Sequence, residues 1–319
     1  MPVGRLYRSI RAAASRRLRR HLALSLTEHQ PTLIVLLYHQ VASQSPDWLN
    51  RMGLCITPQT FDAHLQWCHR HFPFIALSDG INRLRAGTLD RTAIAITFDD
   101  GMTGVPLHAE PILARLDAPA TLFVNRDFLH GRVQWIYQAA WLEANGHTQL
   151  LAQCLDQPRR DSQVPFLRGQ ADPATLAKRD RIGDLFHSKT NGHAPSLHFD
   201  ETCLNRLASN RWDIGNHSCS HPRFSRTPAR VQQTEIADNA DYLKRFNNRV
   251  PLFALPFGRP DDFNTGTLQS ATACGLEFIT AYGGVNPAGR TGADIRRIPC
   301  DSVSADAFEN HLIGNILGW

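Results

Sequence analysis

Short apolar runs of strand length recur along the 319-residue chain: Leu33–Tyr38, Ala93–Thr97, Ala120–Val124, Trp212–Gly215, Leu252–Leu255, Glu277–Thr280 and Arg297–Cys300. Helix-like stretches lie between several of them. Thr57-Pro58-Gln59-Thr60 opens one, with Phe61, Leu65 and Cys68 on one face, and Thr227-Pro228 opens another, followed by Val231, Ile236, Ala240 and Leu243. A Thr–Pro start suits a helix, because proline at the first helical position lacks only an N–H that would have no partner there. Strands separated by helical segments predict parallel β/α units. Length alone allows one large α/β domain or two smaller ones. No internal repeat or low-complexity linker divides the chain. Residues 126–210 are longer than a single β/α connection needs. They carry Trp135, Tyr137 and Trp141, then a charged, proline-containing stretch from Gln157 to Asp172. The expected organisation is therefore a segment 1–30, then one domain over 31–319. Helical insertions around 126–210 would cap its mouth.

Two of the apolar runs end in chemistry. Ile96-Thr97-Phe98-Asp99-Asp100-Gly101 carries two adjacent carboxylates, and Asn216-His217-Ser218-Cys219-Ser220-His221 carries two imidazoles four residues apart. One carboxylate and two imidazoles make a facial ligand set for a divalent metal, with open positions for water and substrate. The other carboxylate is then free to act as a base. An Asp-Asp-Gly sequence also suits an ordinary turn, but that reading does not explain why a buried-type strand runs straight into two acids. Each candidate sits at or just past the C-terminal end of a strand, where sheets and barrels of this class place their chemistry.

At these residues the chain resembles the polysaccharide deacetylases with a NodB-homology domain, carbohydrate esterase family 4. Thr97 to Gly101 matches the family's T-F-D-D-G motif, His217 to His221 its H-[ST]-x-x-H motif, and Ala254-Leu255-Pro256-Phe257-Gly258 its R-x-P-[YF]-G segment. The resemblance spans roughly residues 31–301. It implies a distorted (β/α) barrel of the NodB type, with Asp100, His217 and His221 as metal ligands and Asp99 as general base. Pro256 and Phe257 then belong to the substrate-binding wall. Zinc is the default ion for this ligand set, and cobalt, nickel, iron and manganese are compatible with it. The implied reaction is hydrolysis of the N-acetyl group of an amino sugar in a polysaccharide or glycan precursor.

The chain departs from the family pattern twice. The L-x-H histidine that commonly supplies the general acid is absent from Arg296-Arg297-Ile298-Pro299-Cys300-Asp301, and Ala254 stands where the pattern has an arginine that orients the catalytic aspartate. A subset of the family linked to exopolysaccharide or capsule assembly shares both features. For the acid, His39 at the end of the first strand is the best candidate, with Asp261 and Asp262 weaker. Trp135 and Trp141 could stack on sugar faces or pack in the core. Two other readings stay open: hydrolysis of another carbon–nitrogen amide at the same metal site, and a barrel that binds carbohydrate without turnover.

Charge adds a separate feature. The net charge is +5, but residues 1–24 hold seven arginines and no acid, so the remainder carries −2. This distribution argues against a nucleic-acid surface on the folded domain. Val3, Leu6, Ile10, Ala14, Leu18 and Leu22 recur at three- or four-residue spacing among the arginines. A helix so patterned could lie on an anionic membrane surface or pack on the domain with its arginines solvated. With no apolar signal core and seven cysteines that form no CxxC pair, the expectation is a cytoplasmic protein, peripheral on the inner membrane face at most.

Overall fold

The computed structural model of the protein describes residues 17–156, 176–191, 193, 195–209, 212–290 and 294–318. The apolar runs become parallel strands: β1 (Thr32–Tyr38), β4 (Ala93–Asp99), β5 (Ala120–Val124), β6 (Trp212–Asn216), β7 (Arg249–Ala254), β8 (Glu277–Ile279) and β10 (Ile298–Pro299). They lie in the order β10-β1-β4-β5-β6-β7-β8, every pair on that path parallel. A parallel bridge from Ile279 to Ile295 joins β8 to the segment that leads into β10. The sheet thus curls back toward its first strand as a distorted (β/α) barrel of the NodB type. Three short strands had no sequence signal: β2 (Gln40–Val41) pairs with β3 (Cys55–Ile56), and β9 (Asn286–Pro287) runs antiparallel to β1. Two-residue pairings are too brief to leave a periodicity.

Strand residues sort by parity, because successive side chains point to opposite faces. Ile34, Leu36 and Tyr38 of β1 pack with Ile94, Ile96 and Phe98 of β4 in the large cluster beneath the helices. Leu33, Val35, Ala93, Ala95, Phe123, Ala254, Ile279 and Ile295 form a second cluster inside the barrel. Helix α1 (Pro58–His71) begins as its sequence predicts: Pro58 is at the first turn and the Thr57 side chain accepts from the Thr60 N–H. Its Phe61 meets Tyr38 edge-on, ring centres 4.9 Å apart. Helix α2 (Leu77–Ala86) buries Leu77 and Ile81 against the inner cluster, and Ser78 Oγ donates to Asp213 at 2.8 Å.

Between β5 and β6 the chain forms the expected helices, including α3 (Trp135–Ala144), α4 (Leu176–Thr190) and α5 (Glu201–Ala208). The charged stretch from Gln157 to Asp172 lies outside the described residues. Helix α6 (Ala229–Leu243) follows β6, and α7 (Ala305–Leu317) carries His311, whose Nε2 lies 3.0 Å from the Pro299 carbonyl. Residues 17–29 are helical. They turn Ala23 and Thr27 inward, while Leu18, Leu22 and Leu26 are 59%, 50% and 44% exposed. Val3, Leu6, Ile10 and Ala14 lie outside the described residues. All seven cysteines are free. Among the described residues no helix is long and apolar enough to cross a membrane.

Candidate metal centre and active site

Neighbouring strand residues normally point apart, yet Asp99 and Asp100 serve one site. Asp99 ends β4, and the chain then turns through two left-handed residues, Asp100 (φ 68°) and Gly101 (φ 64°). Aspartate tolerates that conformation better than most side chains. The turn delivers both carboxylates to the barrel mouth: His217 Nε2 lies 3.6 Å from Asp99 Oδ2 and 3.4 Å from Asp100 Oδ1, and His221 Nε2 lies 3.6 Å from Asp100 Oδ1.

The two histidines sit in an irregular loop just after β6. Its Ser218 and His221 are also left-handed, at φ 66° and 56°. Buried asparagines hold the loop. Asn216 Oδ1 accepts from the Ser218 N–H and from Asn239 Nδ2, each at 2.8 Å, and Asn125 Nδ2 donates to the His217 and Ser218 carbonyls. Helix α6 grips the same loop through Glu235, whose carboxylate accepts from the Ser220 N–H at 2.8 Å. Asn216 is thus a positioning residue. Cys219 is tied down by its backbone, its N–H donating to the Glu235 carbonyl at 3.1 Å, and lies outside the group of potential ligands.

Asp100, His217 and His221 are all buried, and each can offer one ligand atom within 4.8 Å of the others. Among the described residues, Asp100 Oδ1 and His217 Nε2 have no hydrogen-bond partner. His217 Nδ1 is 2.8 Å from the Ala254 carbonyl, so it carries the proton and leaves the Nε2 lone pair free,. Tyr137 donates to the other oxygen of Asp100 at 2.7 Å. Burial raises the Asp100 pKa, but His221 and His217 outweigh it and hold the carboxyl far below the usual range. Burial pushes His221 down to about 3, leaving it neutral. An ionised carboxylate and two buried imidazoles whose Nε2 atoms converge on it make a donor set fitted to a divalent cation,.

Asp99 has its own partner. Arg297, wholly buried, reaches into the barrel from the residue before β10 and pairs with both Asp99 oxygens, at 2.7 and 2.8 Å. Its Nε donates to the Thr280 carbonyl at 3.1 Å, and its guanidinium stands 5.4 Å from the centre of the Phe123 ring. Burial alone would raise Asp99; Arg297 and His217 instead lower it, so the carboxylate is ionised and able to accept a proton. Asp99 thus has an arginine partner, although Ala254 stands where the family pattern has one.

His39 follows β1 directly and lines the cleft. Asp301 holds it twice, accepting from its backbone N–H at 2.8 Å and pairing with Nδ1 at 2.7 Å. Burial would lower this histidine, but Asp301 raises it to about 9. His39 is thus protonated at neutral pH, with Nε2 left for a ligand. Asp262 instead builds a turn, accepting from the Arg259 N–H at 3.0 Å and facing Arg223 at 3.2 Å.

The cleft has a volume of 480 Å³ and is lined by Asp99, Asp100, His39, Gln134, Ile136, Tyr137, Met52, Leu54, Phe257, Tyr282 and others. Phe257 forms part of its wall from a left-handed backbone (φ 62°), its ring edge-on to His221 at 4.7 Å. Pro256 is buried behind it. Trp135 is only 3% exposed, its ring 6.4 Å from Phe257. Trp135 is not among the residues that line the cleft, whereas its neighbours Gln134 and Ile136 are. Trp141 packs edge-on to Phe186. The residues that the sequence did not single out for the site are Arg297, Asp301, Tyr137 and Gln134. An arginine and an aspartate framing a late apolar strand were a signal for the first two. Nothing in the insertion's sequence marked the others.

Comparison with known proteins identifies the family and the fold. The polysaccharide deacetylase family model matches residues 86–159 and 174–279. The deacetylase PplD of Streptococcus pyogenes, solved in complex with acetate, superposes with a TM-score of 0.59 at 20% identity, covering 90% of this chain and 99% of that one. IcaB from Ammonifex degensii gives 0.56 at 16% identity over 90% and 97%. A de-N-acetylase from Aggregatibacter actinomycetemcomitans gives 0.56 at 13% identity over 88% and 100%. Among curated protein sequences none matches this chain.

Proposed function

Because this chain belongs to the polysaccharide deacetylase family, we propose that it is a divalent-metal-dependent N-deacetylase acting on an amino sugar in an exopolysaccharide or its precursor. One observation carries the metal dependence: Asp100 Oδ1 and His217 Nε2, both buried and unpaired, converge beside the spare carboxylate of Asp99. Asp100, His217 and His221 would hold the cation. When bound, it supplies Lewis acidity, polarising the acetyl carbonyl and acidifying water.

The remaining steps belong to the chain's own side chains. Asp99, ionised and fixed by Arg297, takes the proton of the attacking water. His39, kept protonated by Asp301, gives its proton to the departing amine. Phe257, Ile136 and Leu54 line the cleft, so a bound sugar excludes bulk water from the reacting acetamide. The acetate held by the PplD structure is the expected product here. The Arg297 and His39–Asp301 pairs support turnover over a barrel that only binds, because they stand in for both groups missing from the family pattern.

The test is acetate release by the purified protein from N-acetylated oligosaccharides and nucleotide- and lipid-linked N-acetylhexosamines, with zinc or cobalt and with chelator. Release that chelator abolishes and metal restores is the expected result. Formate release without acetate would move the activity to another amide, and chelator-insensitive release would refute the metal.

We also propose that the N-terminal helix contacts an anionic membrane surface. Leu18, Leu22 and Leu26, four residues apart, are largely exposed, and Arg17, Arg19 and Arg20 share their helix. An exposed apolar row beside cations matches acyl chains beneath anionic headgroups.

A further inference from the structure

Gln134 lines the same cleft as Asp99, Asp100 and His39. It is 2% exposed, and neither Oε1 nor Nε2 of its carboxamide has a hydrogen-bond partner among the described residues. Such burial is unfavourable, since the group gives up water and gains nothing in return. Nor does local structure explain it. Gln134 stands at the N-cap of α3, where its side chain could accept from the exposed N–H groups of the first turn, yet it makes no capping bond. Three residues on, Tyr137 donates to Asp100 Oδ2 at 2.7 Å. Residues three apart share a helix face, with Cβ atoms about 5–6 Å apart. Gln134, Tyr137 and Asp100 therefore line one wall-to-floor stretch of the same cleft.

We infer that Gln134 is a substrate-binding residue that pairs with a group of the glycan, close to the scissile acetamide, that both donates and accepts a hydrogen bond. The inference rests on the deacetylase reading for the identity of the acetamide. A carboxamide presents one acceptor and one donor side by side. Its complement is a ring hydroxyl, or the acetamide of a neighbouring sugar. Either would satisfy Oε1 and Nε2 together. A site of this kind rejects a ligand lacking the group, because its buried polar atoms then stay unsatisfied.

Gln134→Leu separates this role from a structural one. Leucine keeps much of the volume and removes the unsatisfied amide. The variant should melt no lower than wild type, since replacing an unpaired buried polar group by an apolar one is neutral or stabilising. It should nevertheless bind glycan about tenfold more weakly. Calorimetry on the full chain, with chelator present to prevent turnover, would use an N-acetylhexosamine methyl glycoside and the corresponding trisaccharide. Weakened binding of both assigns a ring hydroxyl; weakened binding of the trisaccharide alone assigns a neighbouring acetamide. Equal affinity of wild type and variant for both ligands overturns the inference, as does a wild type that binds neither. A lower melting temperature with unchanged affinity makes Gln134 structural. Acetate release measured in parallel keeps the two readings apart. If wild type releases acetate and the variant binds as well as wild type, only the role of Gln134 falls. If binding depends on Gln134 and no acetate appears, the deacetylase reading falls instead.

Discussion

The active-site charges are set by pairs of residues, and Arg297 and Asp99 show how much each pair carries. A guanidinium with no exposed surface is bound to a carboxylate by two hydrogen bonds. Breaking such a pair leaves a buried charge uncompensated, which destabilises by about 3–5 kcal/mol. Arg297→Leu should therefore lower the denaturant midpoint substantially and also lose activity, because Asp99 would no longer be held ionised. A variant with wild-type stability and turnover would remove Arg297 from the site. The second pair gives a pH signature. Asp301 raises His39 from 6.5 to about 9, so the acid is present below that value and lost above it. The kcat profile should fall on an alkaline limb near pH 9, and Asp301→Asn should move that limb down toward 6.5. The same shift bears on stability. The folded state binds the His39 proton more tightly, so this contribution is complete below pH 6.5 and fades as pH rises through about 9. An alkaline limb that stays in place in Asp301→Asn would free His39 of the assigned role.

Among the elements, the insertion between β5 and β6 matters most. Helix α3 enters the site through Tyr137, whose hydroxyl fixes the orientation of Asp100. Groups behind a ligand typically change metal affinity by 10–100-fold when removed. Tyr137→Phe should weaken zinc binding by that factor, measured by competition with a chromogenic chelator, while the fold persists. Unchanged affinity would make the contact incidental. The strands were legible from the apolar runs: β5 has the same bounds in the sequence pattern and in the structure, and β4 extends the pattern by two residues, to Asp99. The short strands and the roles of α3 were not. Two-residue pairings carry no period, and a helix that is apolar nearly all round does not announce which face meets a ligand.

As a whole, the molecule combines a near-neutral barrel with a basic end. The seven arginines among residues 1–24 and the exposed leucines that follow predict binding to vesicles containing anionic lipid. Binding should weaken as salt rises, because the attraction is screened over about 10 Å at 0.1 M. Cosedimentation with phosphatidylglycerol vesicles but not with phosphatidylcholine is the expected result, and Leu22→Gln should reduce it. Equal sedimentation with both, or with neither, would refute the contact. At this scale the position of the cleft follows from the parallel topology. Strands β1, β4 and β6 run in one direction, so His39, Asp99, Asp100 and His217 leave the sheet at the same end.

The candidate ligands and the mouth they share were legible in the chain. Asp99 and Asp100 are adjacent, His217 and His221 are four apart, and each group ends an apolar run, so local spacing and strand direction were enough to bring them together. The partners of Asp99 and His39 were set instead by the fold. Arg297 is 198 residues from Asp99, and Asp301 is 262 from His39. No local pattern links such positions, because closure of the sheet, and neither spacing nor periodicity, makes β10 the neighbour of β1 and places its flanking charges over the site. The left-handed turn at Asp100 belongs to the same class. It lets two consecutive side chains share one centre, against the alternation that the strand itself imposes.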